Sequence, residues 1–177
     1  FHSPLSTNKS YTSTAFLNYD EIFCVGDYHY KELINLNIKK EKLRKIGYFY
    51  FDYLKKNIIK KKNQLNNIIL IAPSWNYNKE NFLSVYCNEL IKNLVKKSNY
   101  SVIFRPHPEH FKRNKYEIDE IVFRNKNFRN FYLDDNDNNL SSLNNSNILI
   151  TDNSGIFIEY LFVFHKPVIF FDKYEKI

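Results

Sequence analysis

Asn147-Ile148-Leu149-Ile150-Thr151-Asp152-Asn153-Ser154-Gly155-Ile156-Phe157-Ile158-Glu159-Tyr160-Leu161-Phe162-Val163-Phe164 is the stretch on which the fold turns. Ile148–Ile150 is a short apolar run and reads as a buried strand. Thr151, Asp152, Asn153 and Ser154 are capping types, whose side chains accept bonds from the free N–H groups that open a helix. Residues 154–164 then read as a helix that is apolar all round, so burial is expected for it. Glu159 is its only charge.

The same alternation extends outward. Ile68–Ala72, closed by Pro73, reads as a buried strand, and residues 80–97 as a helix with an apolar stripe of Phe82, Val85, Tyr86, Leu90, Leu94 and Val95. Strands follow at about Ser101–Phe104, Phe128–Leu133 and Val168–Phe171. A charged, partly helical segment lies after the first of these, and an Asp/Asn-rich loop, Asp134–Asn139, leads to a short helix after the second. Strands that are apolar throughout and alternate with helices imply an α/β fold with a doubly wound parallel sheet covered on both faces. Ligands of such sheets bind outside the carboxyl ends of the strands.

Upstream, Ile22–Val25 reads as a strand ending at Gly26, followed by a helix through Leu36, then Ile46-Gly47, then a helix from about Phe51. We read residues 1–60 as the end of an N-terminal domain with a connector and 61–177 as a second domain, the boundary falling near 50–65. The 177 residues contain no methionine and begin at Phe1, so a piece of a longer chain is expected, cut at both ends. Cys24 and Cys87 make neither a disulfide framework nor a metal spacing, which fits a reducing cytoplasm. No apolar run reaches the roughly 18 residues of a membrane span, and no signal peptide is visible. The net charge of +7 comes partly from lysine clusters, at Lys39-Lys40, Lys60–Lys62 and Lys96-Lys97. They fit solvated helix faces, or attraction to anionic partners such as a nucleotide or the inner membrane surface. The aromatics lie in apolar runs rather than among basic residues, so nucleic acid is not an expected partner.

Chemistry is expected at the strand exits. The turn before the 154–164 helix can serve as plain capping or as an anion site, with Gly155 permitting close backbone approach and Ser154 adding a hydroxyl. Glu159 needs a partner, either ribose hydroxyls or solvent and a lysine. In Phe104-Arg105-Pro106-His107-Pro108 two prolines fix the backbone. Arg105 offers a planar fork for phosphate, and His107 a donor or a general acid or base. Trp75, after Pro73-Ser74, can stack on a base or pack as an ordinary core residue. His107 and His110 have a metal-ligand spacing without a third ligand, so no metal and no cofactor are expected.

These residues resemble the CDP-glycerol glycerophosphotransferase family of teichoic-acid and capsule polymerases. The resemblance is carried by Arg105-Pro106-His107-Pro108, Ile150-Thr151-Asp152-Asn153-Ser154, Lys166-Pro167-Val168-Ile169-Phe170 and Ala72-Pro73-Ser74-Trp75, with Val25-Gly26, Gly47 and Asp52 upstream. It implies a GT-B architecture of two Rossmann-like domains, with residues 1–60 on the acceptor side and 61–177 binding the nucleotide. It also implies transfer of glycerol phosphate from CDP-glycerol, or a similar donor, to a polymer or lipid-linked acceptor. Carried over by position, it implies that Arg105, His107 and Ser154 contact the pyrophosphate. Together with the reading of the strand exits above, the candidate nucleotide- and phosphate-binding residues are Ser74, Trp75, Arg105, Thr151, Asp152, Ser154, Gly155 and Glu159. The implied catalytic residues are His107 and His2, the latter matching a family histidine in a His-Gly-Thr setting where this sequence has Ser3 and Pro4. The family turn reads Thr-Asp-Tyr-Ser-Ser; Asn153 and Gly155 depart from it, towards the Asp-Ser-Gly-Gly turn of UDP-N-acetylglucosamine 2-epimerases.

The leading expectation is thus a glycerophosphotransferase-like enzyme of cell-surface polymer synthesis, cytoplasmic and peripheral at the anionic inner membrane face. The alternatives are a nucleotide-sugar GT-B glycosyltransferase or 2-epimerase-like enzyme, and a non-catalytic nucleotide-binding remnant.

Overall fold

The computed structural model describes residues 11–58, 67–75, 80–97, 99–152 and 154–171. The chain divides into two compact units, Phe1–Lys56 and Asn57–Ile177.

In the first unit, β1 (Ile22–Cys24) and β2 (Leu43–Lys45) pair in parallel, with α1 (Asp27–Asn35) between them. Phe16, Ile22, Cys24, Leu33 and Leu43 make its core. α1 stops because Asn37 takes a left-handed φ of 61°. Its N–H then reaches Ile34 O at 2.9 Å while Ile38 N–H reaches Leu33 O at 3.1 Å, which satisfies two terminal carbonyls. β2 is an element the sequence reading lacks. Only Leu43 of its three residues is buried; Arg44 and Lys45 face solvent and pair with Glu21 and Asp27. α2 (Tyr50–Asn57) follows.

In the second unit five parallel strands run in the order β5-β4-β3-β6-β7. They are β3 (Ile68–Ile71), β4 (Ser101–Phe104), β5 (Phe131–Leu133), β6 (Ile148–Thr151) and β7 (Val168–Phe170). β3 is central, and its alternate residues feed two layers, as the period of two in a strand requires. Ile69 and Ile71 pack with Phe82, Leu83, Cys87, Ile91, Val102, Phe104, Ile118 and Ile121. Leu70 and Ala72 pack with Leu143, Leu149 and Tyr160. The first layer is supplied by α3 (Asn88–Val95), entered through a wide i→i+5 turn at Leu83–Cys87, and by α5 (Lys115–Asn125), which α4 (Pro108–Arg113) precedes. The second is supplied by α6 (Leu140–Asn145) and α7 (Ile156–Phe162).

Three expectations are corrected. In the α3 segment Phe82, Leu83, Cys87, Ile91 and Val95 are buried and Tyr86, Leu90 and Leu94 pack against them, so of the stripe read from sequence Val85 alone is misplaced, being exposed. Phe128–Asn130 form a turn, so β5 starts at Phe131. α7 buries Ile158 and Tyr160 but leaves Leu161 and Phe162 exposed, because among the described residues only one face of the helix meets the sheet.

Among the described residues no helix is long and apolar enough to cross a membrane.

Candidate functional site

Chain order changes direction at β3 and β6: β4 and β5 lie on one side of β3, β7 on the far side of β6. The loops leaving β3 and β6 diverge there, which makes the site outside their carboxyl ends a ligand crevice in sheets of this kind. Residues from both loops meet at this point. The backbone N–H and the hydroxyl of Ser74 donate to the two carboxylate oxygens of Asp152, each at 2.6 Å. Directly below, the Thr151 hydroxyl donates to Ala72 O at 2.6 Å, and Ala72 N–H to Ile150 O at 3.0 Å. Ser74, Thr151 and Asp152 are all buried. Buried charge is tolerable only when hydrogen-bonded, and Asp152 meets that condition through Ser74.

The next exit is that of β4. Arg105 is buried and donates through Nη1 to Asp134 Oδ2 at 2.7 Å and through Nη2 to Asn136 O at 2.8 Å. Asp134 stands at the exit of β5 and also accepts from the Ser142 hydroxyl and from Asn136 Nδ2 at 2.8 Å. The hydrogen bonds from Ser142, Asn136 and Arg105 outweigh burial and hold its carboxyl below the usual range. An arginine has five N–H donors, so three remain after these two bonds.

His107 is exposed and caps α4, its Nδ1 accepting from Glu109 N–H at 3.2 Å. His110, one turn on, is fully buried, and its Nε2 lies 3.1 Å from Ser74 O. Burial lowers its pKa, so the imidazole is held neutral, and a carbonyl partner puts the ring proton on Nε2. Its ring meets Trp75 edge-on, with centroids 4.9 Å apart, while Arg113 lies over the Trp75 ring at 6.0 Å. The two histidines therefore face different surroundings. Among the described residues no group of three or more His, Cys, Asp or Glu could hold a metal ion.

Ser154 is buried, and its N–H turns back to Asp152 O at 2.7 Å. Gly155 is exposed, with φ −60°, and a Cβ there would meet no atom within 4 Å. Glu159 accepts from Asn139 Nδ2 at 2.9 Å. Burial raises its carboxyl pKa, against the opposing pull of Asn139 and of the Arg105 charge.

Residues 13–176 match the profile of the CDP-Glycerol:Poly(glycerophosphate) glycerophosphotransferase family. The chain belongs to that family.

Solved structures agree at the level of fold. The wall teichoic acid polymerase TagF matches with a TM-score of 0.56 and 21% identity, over 86% of this chain and 38% of that one. The UDP-GlcNAc 2-epimerase from Neisseria meningitidis, bound to UDP-GlcNAc, matches with 0.64 and 16%, over 88% and 45%. The UDP-GlcNAc 2-epimerase of Methanocaldococcus jannaschii, in complex with UDP-GlcNAc and UDP, matches with 0.62 and 19%, over 85% and 45%. The chain thus spans less than half the length of these proteins. No curated protein matches it. The α/β, GT-B-like parallel sheet expected from the sequence is the fold observed, and the family is the one its motifs resemble.

In this family member the structure links Ser74 to Asp152 directly and brings Arg105 within electrostatic reach of Glu159. His2 and Asn153 lie outside the described residues. Asp134 and Asn139, the partners of Arg105 and Glu159, were not singled out from sequence. The strand-exit rule points to Asp134, which directly follows Leu133, but five Asp and Asn neighbours hide it. A cavity of about 400 Å³ in the first unit is lined by Phe16, Ile22, Val25 and Tyr48 among others, and among the described residues Glu21 is its only charged lining residue. Convergent polar groups mark ligand sites, and these lie at the strand exits of the second unit.

Proposed function

We propose that this chain is the donor-binding part of an enzyme that moves glycerol phosphate, or a related polyol phosphate, from a CDP-linked donor to an acceptor hydroxyl. The polymer made is a cell-surface polysaccharide or teichoic-acid-like chain. The observation that carries the reading is that this glycerophosphotransferase-family chain sets Arg105-Pro106-His107 and the Asp152–Ser154 turn at the exits of β4 and β6, the two neighbours of central β3. Residues 61–177 form the nucleotide-binding domain in this reading, and residues 1–60 the end of the acceptor-side domain with its connector.

The acceptor oxygen attacks the phosphorus that carries glycerol; the bond from that phosphorus to the bridging oxygen breaks, and CMP leaves with that oxygen. The acceptor proton passes to a base, for which His2 is the candidate by family position. Arg105, His107 and Ser154 donate to the pyrophosphate and stabilise the charge gathering on CMP. Gly155 lets the backbone approach a phosphate, Glu159 takes the ribose hydroxyls, and Trp75 stacks on the base. Ser74, Thr151 and Asp152 hold the two loops together beneath the nucleotide. The acceptor is a polymer or lipid-linked hydroxyl, and work on it takes the enzyme to the inner face of the cytoplasmic membrane, where exposed lysines meet anionic lipid.

Calorimetric titration against CDP-glycerol, CMP, CDP, UDP and UDP-N-acetylglucosamine tests the reading. Trp75, the only tryptophan, supplies a fluorescence readout of the same binding. Preference for cytidine ligands is expected. Preference for uridine ligands would instead favour a 2-epimerase-like or glycosyltransferase activity, towards which the Ser154-Gly155 turn leans.

A further inference from the structure

The loop between β5 and α6 touches both ends of the proposed nucleotide site. At its start Asp134 grips Arg105, and Asn136 O takes a second guanidinium proton. At its end Asn139 donates to Glu159. Only four residues separate Asp134 from Asn139, so one short segment fixes an arginine leaving β4 and a glutamate on α7, which lie on opposite sides of β3 in the sheet order.

The loop is itself well anchored. Asp134 is buried and has both oxygens occupied: Oδ2 by Arg105 and Ser142, Oδ1 by the Asn136 amide at 3.2 Å and its side chain at 2.8 Å. Leu140 N–H donates to Asn138 Oδ1 at 2.8 Å, which turns the chain into α6. A carboxylate with every such partner in place fixes the guanidinium plane, because the Arg fork has one bonding geometry and little freedom once two N–H groups are used. Asn139 leaves one Glu159 oxygen engaged and thereby sets the direction of the other.

We propose that Asp134 and Asn139 are positioning residues for the donor nucleotide, Asp134 aligning Arg105 on the phosphates and Asn139 aligning Glu159 on the ribose. The inference rests on the nucleotide-binding reading above. It adds a division of labour within one loop: each residue governs recognition of a different part of the ligand, and neither need touch it.

The experiment compares cytidine, 2′-deoxycytidine and CMP binding to the chain and to its Asp134→Asn and Asn139→Ala variants by calorimetry. Asp134→Asn is expected to reduce the preference for CMP over cytidine about tenfold, the scale of one misdirected charge-assisted hydrogen bond, while cytidine itself binds within about twofold of wild type. Asn139→Ala is expected to bring cytidine and 2′-deoxycytidine close to equal affinity and to leave the CMP-to-cytidine ratio unchanged. A merely structural role would weaken all three ligands together, and unchanged ratios would overturn the proposal. If Asp134→Asn does not fold, as judged by circular dichroism, Ser142→Ala takes its place, removing one donor to Asp134 without stranding a buried charge; the CMP-to-cytidine ratio should fall about threefold, and an unchanged ratio overturns the Asp134 assignment. A wild-type chain that binds no nucleotide overturns the functional reading and this inference with it. Wild-type binding with unshifted ratios overturns this inference alone.

Discussion

Asp152 receives both the N–H and the hydroxyl proton of Ser74, at 2.6 Å each, and so ties the exit of β6 to that of β3. These are the two strands at which the chain order reverses, and the clasp sets the floor of the crevice between their loops. It accounts for two sequence features together: an acidic residue directly after a buried strand, and a small hydroxyl residue just past the end of a strand three earlier in the chain.

Asp152→Ala would leave two buried donors of Ser74 unpaired, and a loss of about 1–3 kcal/mol is expected in urea unfolding. Asp152→Asn should cost less. Its carbonyl oxygen can still accept the Ser74 N–H, and its amide can donate to the Ser74 hydroxyl once that hydroxyl rotates. Equal losses in the two variants would mean that the charge of Asp152, and not its acceptors, holds the loops.

Gly155 separates fold from function more sharply. Its φ of −60° suits any residue and a Cβ would meet nothing within 4 Å, so the chain itself does not require glycine there. Gly155→Ala should therefore be neutral, or stabilising by up to about 1 kcal/mol through the unfolded state. If a phosphate approaches this backbone, the same methyl group must obstruct it, and CDP-ligand affinity should fall at least tenfold. Unchanged affinity in a stable variant would remove Gly155 from the phosphate site.

Much of this was legible in the sequence, for reasons visible in individual elements. β3, β4, β6 and β7 are continuous apolar runs, and each lies within a residue or so of its expected place. β2 escaped because a three-residue strand with one buried side chain gives no run to detect. In the α3 segment Val85 was misplaced on the inner face, and Leu83, Cys87 and Ile91 were missed, because the wide turn at Leu83–Cys87 shifts the inward face relative to a regular 3.6-residue repeat. At the site, Arg105 and Asp152 stand out as single charged residues at strand exits. Asp134 does not, because Asp135, Asn136, Asp137, Asn138 and Asn139 follow it. Only the partners, Arg105 and Ser142, distinguish the one that turns inward.

His107 has a structural duty that must be separated from any catalytic one. Its Nδ1 caps α4 by accepting from Glu109 N–H at 3.2 Å. Asparagine is among the best capping residues, so His107→Asn should keep stability within about 0.5 kcal/mol, whereas His107→Ala should lose about 1 kcal/mol. If the imidazole serves in phosphate transfer, both variants should lower turnover of a CDP-linked donor by roughly 10²–10⁴-fold, the usual worth of a general acid or base. Turnover retained in His107→Asn would reduce His107 to a cap.

Glu159 should show the opposite signs in stability and in binding. Burial raises its carboxyl above the ordinary 4.5, with Asn139 and Arg105 pulling the other way. Between the unfolded and the raised folded pKa, the folded chain binds more protons at this group than the unfolded chain does. Stability therefore falls as pH rises through that window, and above the folded pKa the full cost of an ionised, half-buried carboxylate remains. Glu159→Gln carries no such cost and can keep the bond from Asn139 through its carbonyl oxygen. Its unfolding midpoint should exceed that of wild type at pH 7, and the two should converge below the ordinary carboxylate pKa, where wild-type Glu159 is protonated in both states. Cytidine and CMP should bind more weakly to the variant at pH 7, because a neutral amide is a poorer acceptor for ribose hydroxyls than a carboxylate. Thermal unfolding followed from pH 4 to 8, beside calorimetry at pH 7, measures both effects. A variant less stable than wild type at pH 7 would mean that Glu159 is held by partners strong enough to offset its burial, and that its place in the site is structural.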